Sequence, residues 1–174
     1  MNSGAFGSEF KNVLLDVRAI NLKGKIKIFK KEDLGLNYRR NDLSDEWIFL
    51  SARFKTSFND KEKIQSFMKK IISQRKTNQP TGVKTGGSTF MNLEKYKAWK
   101  LIDKAGCRGF KNGDAQISEK HCNFIINTNN SNAKEIEELG EIVRNKVFEQ
   151  TGKLLNWEIK IIGDIWTKVC MLVF

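Results

Sequence analysis

The chain has 174 residues, 40% of them hydrophobic, and carries 31 Lys and Arg against 20 Asp and Glu, a net charge of +11. That length suits one domain or one and a half with a real core, while no apolar run is long enough to span a bilayer and Met1-Asn2-Ser3-Gly4 has no basic, apolar leader. Three cysteines and a single histidine (Cys107, Cys122, Cys170 and His121) lack paired metal spacing, which argues for reduced thiols in a cytoplasmic protein and against a zinc site.

Taken in order, Met1 to Gly7 is small, polar and glycine-rich, a loop rather than the start of a domain. Val13 to Ile20 reads as a β-branched, aliphatic strand. After a turn at Asn21 to Gly24, Lys25 to Lys30 alternates polar and apolar, the period of a half-buried strand, and the two form a hairpin. Lys31 to Leu36 is a short helical or turn segment, Tyr38-Arg39-Arg40-Asn41 a polar loop, and Trp47 to Phe54 a third strand. Three strands with one apolar face make an incomplete layer on their own.

Asn59 or Asp60 caps a helix running to about Lys76, where Pro80 disfavours continuation. Ile64, Phe67, Met68, Ile71 and Ile72 fall at helical spacing and form one apolar stripe. A turn-rich run follows, centred on a loop at Gly86-Gly87-Ser88, where glycine would let a ligand approach the main chain closely. Tyr96 to Ala105 reads as a helix, 109–119 as a polar, glycine-containing stretch, and Asn123 to Asn127 as a strand. Asn132 caps a helix to about Gln150 that Gly152 stops, and Trp157 to Ile162 reads as a strand with Glu158 and Lys160 on one face. The tail from Asp164 to Phe174 is apolar. The whole is an α+β chain without repeats.

Charge is placed unevenly. Residues 51–111 hold 15 Lys and Arg against 4 Asp and Glu, whereas 1–50 hold 9 against 7 and 112–174 hold 7 against 9. The basic excess surrounds Ser88 and would attract an anionic ligand; it is equally the pattern of solvated lysine-rich faces. Ser88 and Glu158 could move a proton and Arg39 could hold an anion. Glu158 beside Lys160 also reads as a solvated strand face, and Arg39 with Arg40 as an exposed loop. Nothing places His121 beside Ser88, so no nucleophilic triad can be argued.

Several strings, in order, resemble one family. Gln79-Pro80 followed by Gly87-Ser88-Thr89-Phe90-Met91-Asn92 resembles the Gln-Pro and Gly-Ser-x-Phe-Lys-Asn-Pro signatures of UDP-N-acetylenolpyruvoylglucosamine reductases. Leu101 to Gly106, and Gly113-Asp114-Ala115-Gln116-Ile117-Ser118-Glu119-Lys120-His121-Cys122-Asn123-Phe124, are similar to that family's Leu-Ile-x-x-Ala-Gly and Gly-Gly-Ala-Gln-Val-Ser-Glu-Lys-His-Ala-Asn-Phe. Glu158 to Gly163 looks like its Glu-Val-Lys-Ile-Ile-Gly, Met1 to Gly7 like its Met-Asn-Ala-Gly-Ala-Tyr-Gly, and Leu36-Asn37-Tyr38-Arg39 like its Phe-x-Tyr-Arg. The Ser-Glu-Lys-His block suggests the subtype without an extra tyrosine loop.

The resemblance implies the C-terminal portion of such a reductase: residues 1–55 as the remnant of a vanillyl-alcohol-oxidase-like FAD-binding domain, and 56–174 as an α+β substrate-binding domain. It implies FAD as cofactor, NADPH as hydride donor and UDP-N-acetylglucosamine enolpyruvate as substrate, reduced to UDP-N-acetylmuramate for peptidoglycan. Ser88 matches the proton donor, Glu158 the glutamate assisting it and Arg39 the arginine that steadies the enolate. Tyr38, Asn92, Gln116 and His121 fall in substrate-site blocks, and Asn2 and Gly4 in a cofactor block. Met91 and Leu93 depart from the Lys and Pro of the signature, and Asp114 stands where the family has glycine. A flavin-binding portion upstream would be the missing partner. The alternatives are a catalytically inactive fragment that binds a UDP-sugar or a partner chain, and a basic nucleic-acid-binding protein, for which no motif is present.

Overall fold

The computed structural model describes residues 2–162. The apolar tail from Asp164 to Phe174 lies outside the described residues. Two compact units divide the chain, Met1–Ile71 and Ile72–Phe174.

The first unit opens with a small hairpin, β1 (Gly4–Ala5) and β2 (Ser8–Glu9). A three-stranded antiparallel sheet follows, ordered β4-β3-β5, from β3 (Leu14–Asn21), β4 (Ile26–Lys30) and β5 (Trp47–Phe54). The expected hairpin is β3 and β4: the Asn21 side chain accepts from the Lys23 and Lys25 amides and turns the chain between them. Leu14, Val17, Ala19, Phe29 and Leu34 form the core of this unit, and the Phe29 ring meets Trp47 edge to face with centroids 4.9 Å apart. That core is small, as a three-stranded sheet with short connections dictates.

Helix α1 (Lys61–Asn78) starts where predicted, with Asp60 Oδ1 accepting from the Glu62 and Lys63 amides. It ends two residues before Pro80 and runs across the division between the units. Its apolar stripe is not core: Ile64, Phe67, Met68 and Ile72 are exposed, and the helix holds no buried residue. Periodicity reports which side chains share a face, not what covers that face.

The second unit is built on a four-stranded antiparallel sheet ordered β6-β9-β8-β7. Its strands are β6 (Lys84–Ser88), β7 (Lys111–Asn112), β8 (Ala115–Ile117) and β9 (Phe124–Asn127). Helices α2 (Ala98–Lys104) and α3 (Ala133–Thr151) supply the other half of its core, with Ile102, Ile117, Leu139, Val143, Val147 and Leu155 fully buried. A capping box closes the start of α3, where the Asn132 side chain accepts from Glu135 N and Glu135 reaches back to Asn132 N. Gly152, at φ +63°, ends it. The element types are α+β, as expected from the sequence, with every paired strand antiparallel among the described residues.

Three local expectations change. Gly86-Gly87-Ser88 is not a free loop but the end of β6, bulged between Thr85 and Ser88 in its pairing with β9. Gly87 takes φ +89°, which lets the strand absorb the extra residue. The polar stretch 109–119 contains the β7–β8 hairpin, whose two-residue turn is Gly113-Asp114 with Gly113 at φ +58°. The segment from Trp157 to Ile162 is no strand: it makes a single bridge, Trp157 to Phe90, and then an irregular run. Its Glu158 and Ile159 amides donate to the Thr89 carbonyl just beyond β6, and Lys160 to Ile162 are exposed.

Candidate functional site

In the second unit the chain end of β6 and the segment after α3 are stitched together around one buried residue, Thr89. The Thr89 carbonyl accepts from Glu158 N at 2.8 Å, its own amide donates to Asn123 O at 2.8 Å, and its hydroxyl accepts from Ile125 N at 3.2 Å. Ser88 precedes Thr89 in the chain and stands opposite Phe124 in the β6–β9 ladder. The fold thus ties the backbone of Glu158 to the residue that follows Ser88, seventy residues away in sequence. Ser88 and Glu158 are both half-buried.

Asn123 locks this arrangement. Its amide group bonds Phe90 twice, accepting from Phe90 N at 2.9 Å and donating to Phe90 O at 2.8 Å. The same side chain is 5% exposed, so it satisfies two backbone groups that would otherwise be buried without partners. Phe90 stacks on Trp157 with ring centroids 4.9 Å apart, and Trp157 Nε1 donates to Glu141 on α3. The indole lies against Gly140: a Cβ there would fall 2.0 Å from the ring. Gly140, Trp157 and Asn123 therefore fix where Glu158 and Ser88 sit, and none was singled out from sequence. An asparagine inside the apolar run of β9's approach, and a glycine in the middle of α3, were the available signals.

Asn92, Gln116 and His121 are in the same unit with visible local roles. Asn92 Oδ1 accepts from Ala98 N at the start of α2, and Gln116 Nε2 donates to Gly109 O. His121 lies among Trp99 and Phe124, and its Nδ1 accepts from Asn123 N. Burial pushes its pKa below the usual histidine value, with Arg108 nearby acting in the same direction. The Asp114 carboxylate accepts from Asn130 N and Asn129 Nδ2, and its carbonyl from Thr128, so the residue that departs from glycine holds the loop between β9 and α3. A cavity of about 240 Å³ beside Thr89 is lined by Lys84, Thr85, Ile125, Asn127, Ile136 and Ile159 among others.

The remaining candidates cluster in the first unit. Arg39 takes φ +56°, a left-handed conformation uncommon away from glycine and asparagine, inside a tight turn closed by Asn37 and Arg40. Its guanidinium stands 5.0 Å from the Tyr38 ring. Tyr38 bridges Asn2, whose side chain donates to Glu9 and accepts from Lys11 N. Hydrogen bonds from Lys11 and then from Asn2 hold the Glu9 carboxyl below its usual range. Tyr38, Arg39, Asn92 and Glu158 each have interactions besides these.

The two candidate flavin contacts, Asn2 and Gly4, lie in the first unit. Asn2 is 2% exposed with both ends of its amide engaged inside the unit, and Gly4 is packed against Glu9 and Ser8. Among the described residues no group of three or more His, Cys, Asp or Glu could hold a metal, and no helix is long and apolar enough to cross a membrane.

Comparison with known proteins adds a family match, two relatives and a solved structure. Residues 79–162 match the family described as UDP-N-acetylenolpyruvoylglucosamine reductase, C-terminal domain. The chain is 50% identical over 165 residues to the UDP-N-acetylenolpyruvoylglucosamine reductase of Rickettsia bellii strain RML369-C, covering 95% of this chain and 55% of that protein. With the reductase of Paramagnetospirillum magneticum it shares 49% over 163 residues, covering 94% and 53%. The crystal structure of UDP-N-acetylenolpyruvylglucosamine reductase from Thermus caldophilus superimposes with a TM-score of 0.79 at 32% identity, over 92% of this chain and 57% of that one. The chain spans about half the length of the curated relatives it matches.

Proposed function

The chain belongs to the UDP-N-acetylenolpyruvoylglucosamine reductase family, over that family's C-terminal domain, and on that premise we propose that it holds the enolpyruvyl sugar nucleotide and delivers the proton in its reduction to UDP-N-acetylmuramate, a step of peptidoglycan synthesis. Residues 1–55 would belong with the flavin-binding half and 56–174 with the substrate-binding half.

FAD, reduced by NADPH, supplies the hydride in this chemistry. The residues of this chain do the rest. Hydride addition to the methylene carbon of an enolpyruvyl group moves the double-bond electrons to the carbon beside the carboxylate. That carbon must then take a proton. Ser88 Oγ donates it, Glu158 assists the serine, and Arg39 steadies the negative charge that spreads onto the carboxylate. Tyr38, Asn92, Gln116 and His121 bind the substrate.

The observation that carries this reading is the bond that ties the Glu158 backbone to Thr89, the residue after Ser88. A proton donor and its assisting carboxylate must keep a fixed spacing, and the bond from the Glu158 amide to Thr89, with Asn123 clamping Phe90, supports the reading by tying the two backbone segments together. The test is NADPH oxidation and UDP-N-acetylmuramate formation by this chain combined with the flavin-bearing part of the Rickettsia bellii enzyme. Ser88→Ala should cut turnover by roughly 10²–10⁴-fold while substrate still binds. Turnover unchanged in Ser88→Ala would remove the serine from the reaction.

A further inference from the structure

Helix α3 turns two neighbouring residues toward the segment that carries Glu158. Gly140 leaves room for the Trp157 ring to lie on the helix, since a Cβ there would fall 2.0 Å from it. The next residue, Glu141, accepts from Trp157 Nε1 at 3.1 Å. Arg144 completes the group. Its Nη1 donates to both oxygens of the Glu141 carboxylate, at 2.6 and 2.7 Å, and its Nε donates to the Leu155 carbonyl at 2.9 Å. The guanidinium carbon lies 5.9 Å from the Trp157 ring centroid.

An ion pair at this helical spacing adds little stability by itself when it is partly solvated. The Arg144 side chain is 20% exposed and that of Glu141 39%. Helix α3 does not depend on the pair either: a capping box closes its start, Gly152 its end, and Leu139, Val143 and Val147 bury its inner face. What sets the pair apart is the use made of its remaining capacity. The planar fork of Arg144 serves Glu141 with one nitrogen and Leu155 with another. The Glu141 Oε1 accepts from Arg144 and Trp157 together. Past α3 the chain is therefore gripped at four successive residues: Leu155 by Arg144, Asn156 through its carbonyl by the Met91 amide, Trp157 by Glu141, and Glu158 through its amide by Thr89. Two of these grips belong to Glu141 and Arg144. A carboxylate is placed only as well as the backbone that carries it.

We propose that Glu141 and Arg144 are positioning residues for Glu158, fixing the backbone of 155–158 and through it where the Glu158 carboxylate meets the sugar nucleotide. Their bearing on substrate rests on the reading of Glu158 given above; the grips on 155–158 rest on the contacts themselves.

A double-substitution cycle separates this role from plain support of the fold. The probe is UDP-N-acetylglucosamine enolpyruvate titrated into the full chain, followed by amide shifts and by the Trp157 indole N–H resonance. Glu141→Ala should move that resonance, shift the amides of 155–158 and weaken binding about tenfold, within the range of coupling in one hydrogen-bonded network. Glu141→Gln keeps an acceptor for the indole and should recover part of the loss. Arg144→Lys keeps the charge but not the fork, and should weaken binding in the same direction. In a Glu158→Gln background, Glu141→Ala should weaken binding by less than about twofold more, because the group it positions is already altered. Support of the fold alone would give the same factor in both backgrounds. Lys134→Ala, which breaks a solvated ion pair with Glu138 elsewhere on α3, should leave affinity unchanged. Thermal melts check that each variant is folded at the titration temperature. Unchanged affinity in Glu141→Ala, or an equal loss with Glu158 present and replaced, would overturn the proposal while leaving the reading of Glu158 intact. A parent chain that binds no substrate, or binds it no better than Glu158→Gln, would remove that reading and the positioning role with it.

Discussion

Replacing Gly140 by alanine sets two physical effects against each other, and the structure decides the sign. Gly140 lies in the middle of α3, where alanine is the better helix former by about 1 kcal/mol. On propensity alone the substitution stabilises. The new Cβ, however, would stand 2.0 Å from one carbon of the Trp157 ring and 2.7 and 2.9 Å from two others. Ordinary contact requires about 3.4 Å or more, so the indole has to move by more than an ångström or leave. Losing a fully buried tryptophan costs about 3–5 kcal/mol. Trp157 is half-buried, which brings the loss to roughly 2–3 kcal/mol, and the helix gain leaves a net destabilisation of about 1–2 kcal/mol. Urea unfolding followed by far-ultraviolet circular dichroism measures it. The same displacement should disturb the Glu158 amide bond to Thr89, visible as changed amide shifts at both residues. A variant as stable as the parent or more so would refute the packing argument, because it would show that Trp157 does not rest on Gly140.

Other expectations follow from the same geometry. Asn123→Leu keeps the side-chain volume but strands the Phe90 amide and carbonyl in the core, and should destabilise the second unit by about 2–4 kcal/mol in urea titrations; a loss under about 1 kcal/mol would mean water or another group replaces the clamp. His121 has a pKa lowered by burial, so the unfolded chain binds its proton first. Stability should therefore rise with pH up to about 6.5 and fall below it as the unfolded state takes up the proton. His121→Gln should flatten that slope, and an unchanged slope would place the acid sensitivity elsewhere. Burial raises the Cys122 thiol to about 11 and raises Cys107 as well, so at pH 8 both should resist iodoacetamide in the folded chain and react in denaturant; fast labelling of either in the native state would contradict their burial.

Local chemistry made much of the fold readable. Trp47 to Phe54 could be read as a strand because six of its eight residues are aromatic or aliphatic between polar turns. The capping box at Asn132 and the stop at Gly152 fixed both ends of α3. What escaped were features set by distant partners. Trp157 to Ile162 has a strand's alternation but is held by amide bonds to Thr89 and the ring contact of Trp157 with Phe90, and no periodicity distinguishes the two. The Ser88 turn became a bulged strand because β9 stands beside it, which a local reading of two glycines misses. The stripe on α1 was legible as a stripe, yet its exposure was not. The candidate site was legible only as strings: Ser88 and Glu158 carry the family pattern, whereas Asn123, Gly140 and Trp157 act through contacts across the fold.

The most direct test of the central claim is titration of the isotope-labelled chain with UDP-N-acetylglucosamine enolpyruvate, followed by amide shifts. Saturable changes centred on residues 88–92 and 156–159, weakened in Glu158→Gln, are the predicted result. Shifts confined to the exposed lysines of α1, or no saturable binding, would contradict a substrate site built on Ser88 and Glu158.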